Sequence, residues 1–357
     1  MASTATAAAV IAPAVLLGAP VIHTTRRSPL KQTDDVITGQ GDHQYKVNHD
    51  FVQLPDKYTW QTTHNVAVDS SNNAYVIHEG RGGMKDHPSI FVFGPEGKFI
   101  RAFGSQYQGG GHGVEIRKEG NEEFLYVAAY QGVKAFAKMT LTGETVWYKK
   151  APMESGVYAE GEDTSTKPNW TRKGFLPTNF AFLNDGGFLL ADGYGAHCIH
   201  QYDKDANWVK VFGGSGEGEG KFNLCHGLWV DQREGREPSI IVTDRSHNTM
   251  QYLTMDGEYI ETMRDYGLPA NVDIRGNLMM IPELKARITL LNEKNEIVAR
   301  LGEAVKRLGE VKDLRSKPEQ WKPGQFVHPH DACFDQDGNI LVAEWVSTGR
   351  VTKLTKV

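Results

Sequence analysis

Four histidines, His64, His112, His226 and His330, each open a short run in which apolar and polar residues alternate: HNVAVDSSNNAYVIH, HGVEIRKEGNEEFLYVAAY, HGLWVDQREGREPSIIVTDR and HDACFDQDGNILVAEW. A single histidine at a strand start is more often a cap, or a partner for a nearby carbonyl, than a ligand. Four in one sequence context suggest one shared chemistry. Neutral imidazole takes zinc or a similar divalent ion at about 2.0–2.1 Å, and three such ligands leave a position open for water or substrate, as a catalytic site requires. Beyond the second apolar run of each unit stand further reactive groups: His78-Glu79 with Arg81, Tyr130, Asp192 with Tyr194, Asp244-Arg245, Glu283 and Glu344. An aspartate after an apolar strand commonly bonds the amides of the next turn, which is the role expected of Asp192 and Asp244. Tyr194 and Arg245 have no such turn role. A phenol and a guanidinium beside a metal are a candidate proton-transfer group and a candidate stabiliser of developing negative charge.

The elements that must position these groups recur. Two more segments, NFAFLNDGGFLLADGY at Asn179 and NVDIRGNLMMIPE at Asn271, share the pattern, giving six anchors spaced by about 45 to 67 residues. Each anchor is followed by four short strand-like runs separated by Gly or Asp turns, the length and make-up of a propeller blade. Six units predict an all-β, six-bladed β-propeller with four-stranded blades, over residues 60–357 after a lead-in at 25–59. A stacked solenoid would use shorter repeats. In a propeller the innermost strand of every blade lines the central channel, so equivalent positions form a ring: His64, His112, Asn179, His226, Asn271 and His330. Alternate blades then supply His112, His226 and His330 at roughly threefold spacing. His328, two residues before its ring position, is expected in a rim loop. Long intervals place insertions at about 148–174 and 303–325, candidate lids or rims of a site.

Composition agrees with short strands and tight turns, since 38 glycines are spread over 357 residues. A formal net charge of -5 with no Lys/Arg stripe argues against nucleic acid as a partner. Three cysteines, Cys198, Cys225 and Cys333, cannot all pair in one chain and provide no disulfide framework. Residues 1–24 contain an alanine-rich apolar run that reads as a signal-like or disordered segment, pointing to a periplasmic or secreted location. No later run reaches the roughly 18 apolar residues of a membrane span.

The stretches LPTNFAFLNDGGFLLADGYGAHCIHQY, GKFNLCHGLWVDQREGREPSIIVTDRSHNTMQYL and HPHDACFDQDGNILVAEW resemble the peptidyl-α-hydroxyglycine α-amidating lyases, six-bladed propellers of the NHL-repeat type, over roughly residues 60–357. The resemblance implies zinc on His112, His226 and His330, and catalytic roles for Tyr194 and Arg245. It also implies a calcium ion held by Asp331 and by backbone carbonyls near Val66 and Val114. A further arginine of the family's first blade would correspond to Arg81 only with a rebuilt turn, since the chain reads His78-Glu79-Gly80-Arg81. Gly195 stands where the family carries a disulfide cysteine. His64 adds a fourth imidazole, which would close the metal site if it too were a ligand. The activity implied is a zinc-dependent lyase, or metal-assisted hydrolase, cleaving a C–N or C–O bond of a hydroxylated small-molecule, peptide or glycan substrate in the channel mouth. The alternative is a non-catalytic propeller that binds a protein or glycan, with a structural ion in its channel.

Overall fold

The computed structural model describes residues 36–81 and 83–357; the signal-like segment expected over 1–24 lies outside the described residues. Among the described residues twenty-five strands form six antiparallel sheets, and the sheets are the six blades of a propeller. From the channel outward the first blade runs Thr63–Val68, Ala74–His78, Ile90–Phe93 and Phe99–Phe103, and the next four repeat that order. Among the described residues helix is confined to one six-residue turn, Val305–Glu310, and short 3-10 turns, with the helix and two of these turns in the 303–325 insertion.

The middle strands are buried on both faces, so their period-two side chains serve two interfaces at once. Tyr75 and Ile77 pack toward the second blade, whereas Ala74 and Val76 pack toward the sixth. Each of the six blade interfaces has its own apolar cluster of this kind. The ring is therefore fastened largely by side-chain packing between blades, since no strand ladder joins one blade to the next among the described residues.

The sixth blade shows how the ring closes. Its inner three strands, Pro329–Phe334, Ile340–Glu344 and Arg350–Lys356, come from the C-terminus, and its outer two, His43–Asn48 and Ile37–Gln40, come from the lead-in expected over 25–59. The propeller thus begins at Ile37, ahead of residue 60, because Val47 and Tyr45 pair with Leu354 and Lys356 and are buried against Ile340 and Val342. Val47→Asp should therefore open the closure. Urea unfolding is expected to show a loss of about 3 kcal/mol or more, the consequence of an unpaired charge in a core position.

Candidate functional site

The four ring histidines meet at one mouth of the channel. Ring centroids are 4.8 Å apart for His64–His112, 4.7 Å for His112–His226, 4.7 Å for His226–His330 and 4.8 Å for His330–His64. A β-bulge re-aims each of them. Strand register shifts between Thr63 and Asn65, Gly111 and Gly113, Cys225 and Leu228, and Pro329 and Asp331, each time at the histidine. An extra residue in an inner strand turns its side chain out of the ladder and into the channel.

Three of the four rings are held in one tautomer. His112 Nδ1 donates to Thr178 O at 2.9 Å, His226 Nδ1 to Ala270 O at 2.6 Å, and His330 Nδ1 to His64 O at 2.7 Å, in each case on the next blade of the ring. Two glycines make this possible: a Cβ on Gly113 would lie 2.2 Å from Thr178 O, and one on Gly227 would lie 2.3 Å from Asn271 Oδ1. With Nδ1 protonated, each Nε2 presents a lone pair to the channel, the arrangement that metal-binding histidines adopt. His112 Nε2 and His226 Nε2 stand 3.1 Å apart. Two lone pairs facing one another repel, and about 3.3–3.4 Å is the spacing that two nitrogens take around a shared tetrahedral ion. Burial drives all three imidazoles well below their ordinary pKa, so they are neutral donors at neutral pH.

His64 differs. Its ligand atoms and those of His112 and His330 all lie within 4.8 Å of one another, so distance alone favours this trio over the one that contains His226. However, neither of its nitrogens has a hydrogen-bond partner among the described residues, and Nε2 faces Glu79 Oε2 at 3.6 Å. Orientation by a carbonyl separates the two trios and favours His112, His226 and His330.

Tyr194 and Arg245 both reach the cluster. Tyr194 Oη lies 3.2 Å from His226 Nε2 and accepts from Arg245 Nη1 at 3.1 Å, while Arg245 Nη2 is 3.4 Å from His330 Nε2. Arg245 is 6 % exposed and has no carboxylate partner among the described residues. Burial lowers its pKa, and burial raises that of Tyr194 while the guanidinium draws it back. Asp192 takes the expected turn role, accepting the N–H groups of Leu176, Gly195 and Ala196. That loop explains Gly195: a Cβ there would lie 2.2 Å from Gly174 O, so no cysteine fits. Glu283 and Glu344 are committed to structure, the first to Arg287 and Thr289 and the second to Arg350.

Arg81 is not brought to the cluster. Its side chain is exposed, and its backbone N–H is donated to Gln108 at 2.9 Å. Other groups occupy that side of the mouth. Tyr130 packs 5.0 Å from His112 and 5.3 Å from Tyr194, Trp170 of the first insertion lies 5.9 Å from Tyr194, and Arg315 of the second lies flat on Trp345. His328, in its loop, bonds Leu284 O and packs on Trp345.

Beyond the histidines, deeper in the channel, Asp331, Glu115, Asp273 and Asn271 line one cavity of about 130 Å³ together with Val66. Asp331 accepts Val66 N–H at 2.9 Å and Asn271 Nδ2 at 2.5 Å, and Asn179 Nδ2 donates to Glu115 at 3.0 Å. The side chain of Val114 packs into the core between the first two blades. Asn271 Oδ1, buried in the cavity wall, has no hydrogen-bond partner among the described residues. Burial pushes Asp331 up to about 7 and Asp273 up to about 6, and burial with the two neighbouring aspartates raises Glu115 well above the carboxylate range.

No protein-family model matches this sequence. Among solved structures the chain is similar to virginiamycin B lyase from Staphylococcus aureus, at 12 % identity and TM-score 0.53, over 88 % of this chain and 100 % of that one. It is also similar to a streptogramin B lyase (9 %, TM-score 0.52, 87 % and 97 %) and to a gluconolactonase from Xanthomonas campestris (11 %, TM-score 0.58, 90 % and 95 %). At such identities the likeness establishes the shared six-bladed propeller alone, and the amidating-lyase resemblance rests on the residues quoted above.

Proposed function

We propose that the histidine-lined mouth is the active site of a zinc-dependent lyase that cleaves the C–N bond of a hydroxylated, anionic substrate such as a peptidyl-α-hydroxyglycine. One observation carries this reading: a buried guanidinium, Arg245, has no carboxylate partner and is bonded to a phenol that touches the histidine cluster. An unpaired buried charge costs several kcal/mol, which an incoming carboxylate would offset. His112, His226 and His330 fit zinc, since each offers a neutral Nε2 with its Nδ1 committed to a carbonyl. Zinc held there would lower the pKa of a bound hydroxyl.

The chain's own groups then supply positioning and proton transfer. Arg245 binds the substrate carboxylate and favours the ionised form of Tyr194. Tyr194 accepts the proton of the substrate hydroxyl. As the O–H pair becomes the C=O of glyoxylate, the C–N pair leaves on nitrogen, which takes that proton to become the amide. No water and no oxidant are consumed. The test is release of glyoxylate from N-benzoyl-α-hydroxyglycine; a rate no higher than the spontaneous one, at full zinc occupancy, contradicts the proposal.

Calcium fits the deeper cavity, where Asp331, with Glu115 and Asp273, would hold it beside the Asn271 oxygen and the backbone of Val66; Val114 is not among the residues that line this cavity. In ion-stripped protein these carboxyls bind protons more tightly folded than unfolded. Stability is therefore expected to fall as pH rises from about 4 through about 7, the window set by Asp331 and Asp273. Millimolar calcium at about pH 7.5 should raise the thermal midpoint by a few degrees, and Asp331→Asn should abolish the rise. A midpoint indifferent to calcium would remove the ion from this cavity.

A further inference from the structure

The second insertion carries an arginine with no structural task equal to its charge. Arg315 sits in the 3-10 turn Leu314–Ser316, its guanidinium 3.2 Å from the centroid of Trp345. Its one side-chain hydrogen bond is a long one, Nη2 to Thr62 Oγ1 at 3.4 Å, and its Nε is buried without a partner. It forms no ion pair among the described residues. The nearest carboxylate across the mouth, Glu79, is already bonded by Gln131 and faces His64. With Nε buried and one Nη2 donor on Thr62, the remaining Nη donors of a guanidinium held on an aromatic floor form a recognition surface for an oxyanion.

The placement matters as much as the group. Arg245 stands on the fourth blade, whereas Thr62 and Trp345 put Arg315 where the sixth blade meets the first, on the opposite side of the histidines. Arg245 and Arg315 flank this mouth with Glu79 between them, and Asp313, two residues before Arg315, is the other carboxylate felt by that guanidinium. Tyr130, Tyr194 and Trp170 form an aromatic wall on the arc between them, toward the second and third blades. A substrate whose carboxylate lies on Arg245 would extend over the histidines toward Arg315.

We propose that Arg315 binds a second anionic group of the substrate, so that the mouth selects compounds carrying two separated negative charges over those carrying one. This rests on the reading of Arg245 as the first carboxylate's partner. Arg315 is a specificity residue that acts on binding and takes no part in bond breaking.

Calorimetry with unhydroxylated probes, which need no turnover, tests the proposal. Wild-type protein should bind N-succinylglycine or N-glutarylglycine at least about tenfold more tightly than the singly charged N-butyrylglycine, the share of one charge-assisted hydrogen bond. Arg315→Gln should bring that ratio near one while leaving affinity for N-butyrylglycine unchanged, and Arg315→Lys should restore part of it. Were Arg315 only a brace for Trp345, Arg315→Gln would lower the thermal midpoint and leave the ratio intact, which overturns the proposal. A wild-type ratio near one, or no binding of either dianion, also overturns it. Failure of the lyase reading shows separately, as absent glyoxylate release with the ratio preserved.

Discussion

His226→Ala should lose metal and turnover together. His226 makes three polar contacts in the cluster, with Nδ1 on Ala270 O, Nε2 at 3.1 Å from His112 Nε2, and Nε2 at 3.2 Å from Tyr194. Loss of an outer-shell partner of a metal ligand typically costs 10–100-fold in affinity, so loss of the ligand itself should cost at least about 10²-fold. After dialysis against buffer, elemental analysis should find less than about a tenth of the wild-type zinc, and glyoxylate release should fall to the spontaneous rate. The comparison that gives this result meaning is His64→Ala, which should retain zinc because His64 has no orienting carbonyl and faces Glu79. The opposite pattern, zinc kept by His226→Ala and lost by His64→Ala, would move the site to His64, His112 and His330.

The second large effect separates proton transfer from metal binding. Tyr194→Phe removes one oxygen, leaving the three oriented imidazoles and their carbonyl partners in place, so zinc content should equal that of wild type. Turnover should drop by about 10²–10⁴-fold, the range for a positioned acid–base group. The pH profile should change as well. The acidic imidazoles and the Arg245-stabilised phenol set the wild-type profile, and the phenol limb should vanish from whatever activity remains. Full activity in Tyr194→Phe on a confirmed substrate would show that another group moves the proton.

Much of this site could be read from the sequence because the repeat imposed a register. Once six units were aligned, His64, His112, His226 and His330 had to share a ring, and Tyr194 and Arg245, at matching second-strand ends, had to stand beside it. The bulges that aim those histidines left a trace only in the His-Gly pairs at 112–113 and 226–227, whose glycines admit the neighbouring strand. Glu115 and Asp273 gave no clear signal, because their inner strands, GHGVEIRKE and DIR, carry other charged residues, and which residue a bulge turns inward depends on its position. Arg315 and Trp170 could not be placed, since insertions carry no repeat register. Residues 37–48 were hidden for a related reason: their partner, Arg350–Lys356, lies some 300 residues away, so no local turn signal links the two. Arg81 follows a left-handed Gly80 with its side chain exposed, a local turn that the repeat register does not dictate.

The central claim, that zinc on the histidine ring makes this mouth catalytic, is most directly tested by titrating zinc into stripped protein while following glyoxylate release from N-benzoyl-α-hydroxyglycine. The account predicts a rate that rises in proportion to bound zinc and breaks sharply at one ion per chain. A rate that ignores zinc, or none at full occupancy, would contradict it.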